Sequence, residues 1–259
     1  MVARARLLQA RVLPHGWLDA LRQVSLFVAA YLAYKLVRGL VEGDANAAFA
    51  HARDLISIER GMHLFVEPSI QAWASGSHFV MVLASWLYVN AQTSVTIAAL
   101  LYLYLMRNRS FYFVRNMFMI AMAIALVGYV VYPTAPPRFM PEWGFTDSVA
   151  RFTGIPADDA TINALYNPFA AVPSMHVGFA LMLGLPLARL VKTRVLKVVW
   201  LLYPLIVTFV VVSTGNHWWL DAFLGAATAA VSAYVADRLL ARARPHAWAF
   251  GAARAEAPA

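Results

Sequence analysis

The sequence predicts an all-α membrane protein, a bundle of six transmembrane helices with amphipathic helices on its outer face. Hydrophobic residues make up 61% of the 259 residues and charged residues only 13%, whereas soluble domains average about 25% charged. Six stretches reach or approach the length of about 20 mostly apolar residues that a membrane-spanning helix needs. None alternates apolar and polar residues as a strand does, so a helical bundle is the economical interpretation.

The predicted spans are separated by connections of very different length. They lie at about 21–41, 78–105, 112–132, 174–191, 196–213 and 217–238, the fourth and fifth being short. Residues 44–75 carry apolar residues at helical spacing interrupted by charge, which predicts one or two amphipathic helices with a break or a helix start at Glu67-Pro68. Residues 133–173 form a long loop rich in Pro, Gly and Asp, and such loops are often functional.

These elements divide the chain into three parts. Residues 1–22 are predicted to form a basic N-terminal segment in the cytoplasm, and no cleavable signal peptide stands out. Residues 23–240 form the membrane domain. The Ala- and Arg-rich residues 241–259 are expected to be a disordered cytoplasmic tail.

Charge sets the predicted orientation of the bundle. One side holds 15 of the 21 basic residues, namely Arg4, Arg6, Arg11, Arg22, Arg107, Arg109, Arg115, Arg189, Lys192, Arg194, Lys197, Arg238, Arg242, Arg244 and Arg254. Most acidic residues lie in the opposite loops. By the positive-inside rule both termini are cytoplasmic, and the protein is predicted to lie in the plasma (cytoplasmic-type) membrane. Because these loops account for the net charge of +8, nucleic acid is not an expected partner.

Polar groups from distant segments are predicted to meet at the outer face of the bundle. His176 lies in the first turn of the fourth span, His217 and Asp221 lie at the start of the sixth, and Arg138 lies in the loop "YPTAPPRF". The chain has no cysteine, which excludes disulfides, zinc–thiolate sites and thiol nucleophiles.

These side chains have the chemistry for phosphoryl transfer. His217 and Asp221 share a helix face, so the carboxyl group can fix the imidazole tautomer and leave the other nitrogen free as a nucleophile or base. His176 can protonate a leaving oxygen. Ser174 follows a proline suited to a helix start, where free amides bind anions, and the fork-shaped charge of Arg138 matches phosphate oxygens.

Structural roles are the alternative for each element taken alone. A His-x-x-x-Asp pair can arise by accident in a chain with seven histidines, and "TGN" can be a turn and helix cap only. Convergence of three segments favours a functional site, because ionisable residues at membrane depth are functional candidates by default.

The pieces "PTAPPR", "AAVPSMH" and "STGNHWWLD" resemble the three signature motifs of the type 2 phosphatidic acid phosphatase superfamily. Within the superfamily they look most similar to the branch related to fungal inositol phosphorylceramide synthases, the inositol phosphotransferase-like enzymes, and the resemblance covers about residues 45–240. It implies a six-helix membrane bundle and metal-independent chemistry through a phosphohistidine.

The resemblance also implies a role for each matched residue. His217 would be the nucleophile, Asp221 its orienting partner and His176 the acid–base residue. Arg138 and Ser174 would bind the phosphate.

The sequence departs from the family pattern at three positions. Val131 replaces a Lys seven residues before the first-motif Arg, Val211 replaces an Arg six residues before the last-motif His, and Met175 replaces a Gly in the middle motif. Two phosphate-binding cations are therefore absent from their usual places. Thr214 and Asn216 are expected to donate hydrogen bonds to the phosphate instead.

The predicted function is that of a membrane-embedded phosphatase or phosphotransferase acting on a phosphorylated lipid of the outer leaflet. Water as acceptor makes a phosphatase, whereas a lipid or polyol hydroxyl makes a transferase, of the phosphoinositol type or another. No metal or cofactor is expected. The alternative classes are a transporter using the His–Asp cluster as a proton relay and an inactive scaffold.

Two further predictions concern residues outside this cluster. Arg115 is expected to extend towards the cytoplasmic surface. Trp143, Tyr166, Trp218 and Trp219 are expected to form an aromatic belt at the outer boundary of the membrane.

Overall fold

A computed structural model of the protein describes residue 13 and residues 15–41, 45–153 and 169–251. Within these residues the chain is helical and contains no strand, apart from an isolated bridge between Thr134 and Ala170. The predicted all-α class is confirmed. Tyr166, most of the N-terminal segment and residues 252–259 of the predicted tail lie outside the described residues.

The main helices follow the predicted order, except for one six-residue helix that lies within residues 133–173, which were predicted as a loop. They are α1 (Gly16–Val41), α2 (Ala45–Gly61), α3 (Glu67–Ser75), α4 (His78–Met106), α5 (Asn108–Val131), α6 (Ser148–Thr153), α7 (Met175–Leu190), α8 (Arg194–Ser213) and α9 (Trp219–Val235). Short 3-10 turns at Pro137–Phe139 and Pro141–Trp143 interrupt the long loop. A π-helical turn, Ala236–Leu240, prolongs α9 and is followed by α10 (Ala241–Ala243) and α11 (Pro245–Trp248).

Four of the six predicted spans are long and apolar enough to cross a membrane. They are α4, α5, α8 and the continuous run Trp219–Ala243. The other two form helices that differ from an ordinary span. Helix α7 is apolar but only 16 residues long, and α1 has the length but carries Arg22, Lys35 and Arg38 among its apolar residues.

One or two amphipathic helices were predicted between the first and second spans, and the structure has two helices there, α2 and α3. Helix α3 begins at Glu67 with a proline in its first turn, so the predicted helix start is confirmed. One face of α2 is buried, and it includes Ala48, Ala52 and Ile56. This face packs in a cluster with Met140 and Trp218, and α2 thereby contributes to the wall behind the start of α9.

Helix α7 lies at the centre of the bundle and packs against α4, α5, α8 and α9. Two glycines allow backbones to approach closely there. A Cβ atom at Gly225 of α9 would lie 2.1 Å from the carbonyl oxygen of Ser174, and one at Gly184 of α7 would lie 2.6 Å from that of Trp200 in α8. Any larger residue at Gly225 would push apart the starts of α7 and α9.

The prediction that Arg115 extends to the surface is wrong. Arg115 is buried, its Nη1 donates to Gln23 Oε1 at 2.8 Å, and its Nε and Nη2 donate to Asn116 Oδ1. Its guanidinium also lies over the rings of Tyr112 and Trp248. Arg115 therefore fastens α1 and the described part of the C-terminal tail to α5 instead of reaching solvent.

Candidate active site

The turn between α8 and α9 positions the imidazole of His217. Gly215 adopts a left-handed φ of 70°, and the amides of Asn216 and His217 both donate to the carbonyl oxygen of Val211 at 3.0 and 3.1 Å. Trp218 is fully buried and its Nε1 donates to Ala135 O at 3.0 Å, so the prediction that this tryptophan belongs to an interfacial belt is wrong. It anchors the turn to the loop that carries Arg138.

Asp221 lies directly behind His217. Its Oδ1 is 3.1 Å from Nδ1 of His217, and its Oδ2 accepts a hydrogen bond from the amide of Trp218 at 3.0 Å. The carboxyl group is fully buried, so its position is fixed on both sides. The predicted pairing of these two residues on one helix turn is present, and it directs Nε2 of His217 away from Asp221.

His176 meets His217 from the other side. Its Nδ1 lies 3.2 Å from Nε2 of His217. The His176 ring stacks on Tyr88 of α4, with the ring centres 4.7 Å apart and an interplanar angle of 22°. Two imidazoles that are 41 positions apart in the sequence are therefore in direct contact.

The environment of His217 keeps its imidazole neutral. The residue lies in the turn between α8 and α9, where burial and the positive charge of Arg138 lower its pKa to about 3. At neutral pH the ring of His217 is therefore not doubly protonated, so the nitrogen that faces His176 can be free of a proton. A neutral imidazole is the form that can act as a nucleophile.

Arg138 is held beside the histidines by the turn that carries His217. Its backbone amide donates to Gly215 O at 2.7 Å, and its Nη1 donates to Asn216 Oδ1. Its Nε is 3.8 Å from a carboxylate oxygen of Asp147. The guanidinium therefore has a fixed place although it belongs to a loop.

These groups line a cavity of about 290 Å³. His176, His217, Arg138 and Asn216 contribute polar groups to it, and side chains of α4, α5 and α7 form much of its remaining wall. Gln92 and Thr93 of α4 add two further polar side chains to that wall, which is otherwise largely apolar and aromatic. A ligand with both a charged group and an apolar part would match this lining.

Three predicted site residues lie behind the cavity and do not line it. Asp221 supports His217, as described above. Ser174 is fully buried, and its hydroxyl has no hydrogen-bond partner among the described residues. Thr214 donates its hydroxyl to Val210 O at 2.7 Å and accepts a hydrogen bond from Asn216 Nδ2 at 2.8 Å, so it holds the asparagine in place.

The start of α7 has the properties of an anion site. Ser174 occupies the position before the first helical residue, and no side chain caps the helix there. Its own amide donates to Asp221 O at 3.0 Å, which joins the starts of α7 and α9. The amides of the first turn, together with the positive end of the helix dipole, favour a negatively charged ligand.

Two acidic residues close to the site were not predicted from the sequence as site residues, because no motif includes them. Glu59 and Glu67 are fully buried, and they accept hydrogen bonds from the amides of Leu220 and Trp219 at 2.8 and 3.0 Å. The one signal in the sequence is that Glu59 continues the apolar stripe of α2. Within the described residues no group of three or more acidic or histidine side chains is arranged to bind a metal ion.

The bundle and its cavity define a membrane protein with a histidine pair and an arginine at the edge of an apolar helix assembly. A family model described as the PAP2 superfamily matches residues 53–235, a range that includes all three motif segments of the site. The protein belongs to the PAP2 superfamily. No curated protein and no solved structure matches the chain. The resemblance seen in the motifs is therefore confirmed at the level of the superfamily.

Proposed function

We propose that the protein is a metal-independent lipid phosphate phosphatase or phosphotransferase that forms a phosphohistidine at His217. The observation that carries this proposal is the contact of 3.2 Å between His217 Nε2 and His176 Nδ1 in a cavity that also holds Arg138. Membership of the PAP2 superfamily supports the reaction class, because the superfamily acts on phosphate esters.

In the first step Nε2 of His217 attacks phosphorus. The bond between phosphorus and the leaving oxygen breaks, and protonated His176 donates its proton to that oxygen. Asp221 orients the attacking ring through Nδ1. Because His176 Nδ1 lies where the phosphoryl group must bond, the His176 ring has to shift when substrate binds, and its stacking on Tyr88 would guide this motion.

In the second step neutral His176 takes a proton from water or from an acceptor hydroxyl. The oxygen of that acceptor bonds to phosphorus, the bond between phosphorus and nitrogen breaks, and His217 returns to its neutral form. The negative charge of the phosphate favours protonation of His176 while substrate is bound.

We propose that Arg138 and the amides of the first turn of α7 bind the phosphate. The hydroxyl of Ser174, unpartnered within the described part of the chain, lies behind the cavity wall, and we propose that it joins them only when the ring of His176 shifts on substrate binding.

The side-chain nitrogen of Asn216 donates both of its hydrogen bonds to Thr214, and its side-chain oxygen accepts a hydrogen bond from Arg138. We therefore assign Asn216 and Thr214 to holding Arg138 in place, a different role from the phosphate donors expected from sequence. Arg138 is thereby held firmly in place. This matters because the chain has Val131 and Val211 at the two positions where the family pattern has a lysine and an arginine.

A phosphotransferase is the second form of this proposal, and the cavity wall favours it. Gln92 and Thr93 add polar groups to the cavity besides those that would bind phosphate. They are suited to an acceptor with several hydroxyls, and this fits the inositol phosphotransferase-like branch that the motifs resemble. The position of the histidines beside a fixed arginine at the helix ends favours an enzyme over a proton-relay transporter.

We further propose that α1 and α7 complete a bundle of six spans, with both termini in the cytoplasm and the cavity facing the outer leaflet of the plasma membrane. Helix α7 is surrounded by other helices of the bundle, so its short length does not expose a polar end to lipid. In the sequence of α1 the charged residues lie within about two turns of its ends, and basic residues are common near the ends of membrane-spanning helices.

Purified protein in detergent, with a metal chelator present, tests the proposal. It is offered lipid phosphates and phosphodiesters with and without polyol acceptors, and released phosphate and new lipid products are measured. We expect activity with the chelator, a phosphoenzyme that is stable to base and labile to acid, and loss of both in His217→Ala. The control is His246→Ala, which removes an exposed histidine of the C-terminal tail. Activity that persists in His217→Ala or disappears with the chelator contradicts the mechanism.

A further inference from the structure

Three successive amides at the start of α9 each donate to a different carboxyl group. The amide of Trp218 donates to Asp221, that of Trp219 to Oε1 of Glu67 and that of Leu220 to Oε1 of Glu59. Asp221 belongs to α9 itself, whereas Glu59 and Glu67 come from α2 and α3. The two glutamates therefore attach the amphipathic helices to the turn that begins with His217.

The side chains of the two glutamates are also close enough for a hydrogen bond between them. No N–H or O–H group of the other described residues donates to their second oxygens, Oε2 in both residues. Burial, followed by the hydrogen bond and the negative charge of Glu67, raises the pKa of Glu59 to about 9. Two buried carboxylates in contact cannot both be ionised at moderate cost, so Glu59 keeps its proton at neutral pH and donates it to Glu67.

We propose that Glu59 and Glu67 are positioning residues of the active site, and that the proton they share holds the first turn of α9, and with it His217, in place. This inference rests on the proposed function, because the effect of positioning is read from catalysis. It assigns to α2 and α3 a part in the reaction, although neither helix contributes a side chain to the cavity.

The charge balance explains why one proton matters. Glu67 from α3 and Asp221 from α9 are the charged groups that act on Glu59. If Glu59 loses its proton, two negative charges face each other in a site without water contact, with Asp221 close by. Repulsion then separates the pair, releases the amides of Trp219 and Leu220, and displaces His217. A displacement of about 1 Å can lower a rate roughly a hundredfold.

The dependence of kcat on pH tests the inference. We expect kcat of the unaltered protein to fall near pH 9, the pKa of Glu59. Glu59→Gln keeps an oxygen for the Leu220 amide and an N–H for Glu67 but has no proton to lose. It should retain most of the kcat at neutral pH, and its alkaline fall should move upward by about one pH unit or more. Glu59→Ala should lower kcat roughly tenfold to a hundredfold at every pH, with a much smaller change in KM.

Asp54→Asn is the matched control, because Asp54 is an exposed carboxylate on the same helix. Its pH profile should equal that of the unaltered protein. If Glu59→Gln shows the same alkaline fall as the unaltered protein, the inference is overturned while the proposed function stands.

Thermal unfolding in detergent separates the two proposals. Because the pKa of Glu59 is raised in the folded protein, its proton stabilises the fold fully below about pH 4.5, and this contribution is lost as the pH rises towards 9. Glu59→Gln should flatten this loss. If no phosphate ester is turned over, the proposed function fails, and an identical pH dependence of unfolding in Glu59→Gln and Asp54→Asn overturns the carboxyl pair independently.

Discussion

The two histidines have different tasks at the level of the single residue, and a change of leaving group distinguishes them. His176→Ala removes the proton donor but leaves His217 as nucleophile. We expect turnover of a lipid phosphate to fall about 10²- to 10⁴-fold. A nitrophenyl phosphate ester should lose much less in kcat/KM, which reports the first step, because its leaving group departs without a proton. The measurement is kcat/KM with both substrates, since the second step also uses His176 and lowers kcat for both. An equal loss of kcat/KM with both would assign His176 to another role.

Arg138 should contribute mainly to the phosphate in the transition state. Arg138→Ala is expected to lower kcat about 10²- to 10³-fold, as removal of a fixed hydrogen-bond donor to a developing charge does in other enzymes. Arg138→Lys should recover only part of this, since it loses the planar fork. Inhibition by inorganic phosphate measures the same contact.

The control for this prediction is Arg151→Ala, which removes an exposed arginine from α6. Phosphate inhibition that is equally strong in Arg138→Ala and in the unaltered protein would contradict the assignment of Arg138.

Motifs predicted the residues that line the site but not all those that support it. His176, His217 and Arg138 occur in short recognisable patterns, and their patterns placed them correctly together. Glu67 and Glu59 act through backbone amides 152 and 161 positions away, and no local pattern reveals a contact over that distance. Thr214 and Asn216 were found as site residues, but the direction of their hydrogen bonds depends on the tertiary structure.

At the level of the helices, the crossing of α7 and α9 determines whether the two histidines can meet. Gly225→Ala places a Cβ atom 2.1 Å from the carbonyl oxygen of Ser174, a contact with backbone that cannot be relieved by a side-chain rotation. We expect destabilisation of at least about 1–3 kcal/mol, as overpacking of a core typically causes. Thermal unfolding in detergent gives the stability, and activity should fall with it.

Gly61→Ala is the control for the helix crossing, because a Cβ atom at Gly61 has no atom within 4 Å. This substitution should leave both stability and activity close to their original values. If Gly225→Ala unfolds at the same temperature as Gly61→Ala, the crossing of α7 and α9 is looser than the structure indicates.

The helix boundaries could be predicted better than the helix environment. The predicted bounds of α7 and α8, 174–191 and 196–213, lie within two residues of the observed Met175–Leu190 and Arg194–Ser213. Pro173 before α7 and Gly215 after α8 mark two of these four ends. Apolar composition alone does not distinguish a helix that faces lipid from one enclosed by other helices. For this reason the sequence predicted α7 as a short span but not its central packing among four helices.

For the whole molecule, the fold and the charge distribution supply different information. The fold brings His176, His217 and Arg138 to one end of the bundle, opposite to the turn between α7 and α8. Lys192 lies in that turn, and Arg189, Arg194 and Lys197 lie in the helix ends beside it. Helix packing does not determine which end faces the cytoplasm, whereas the excess of basic residues does so through the way in which membrane proteins insert. The sequence therefore predicts which side of the membrane the site faces. The structure shows that the side chains of the site lie together.

Labelling of introduced cysteines tests this orientation directly, because the chain has no cysteine of its own. Glu142→Cys lies in the exposed loop beside the site, and Lys192→Cys lies in the exposed turn between α7 and α8. In intact cells a membrane-impermeant maleimide should label the first variant only, and disruption of the membrane should allow it to label the second. The reverse pattern would place the cavity on the cytoplasmic side. The substrate would then be a lipid of the inner leaflet, although the chemistry of the two histidines would be unchanged.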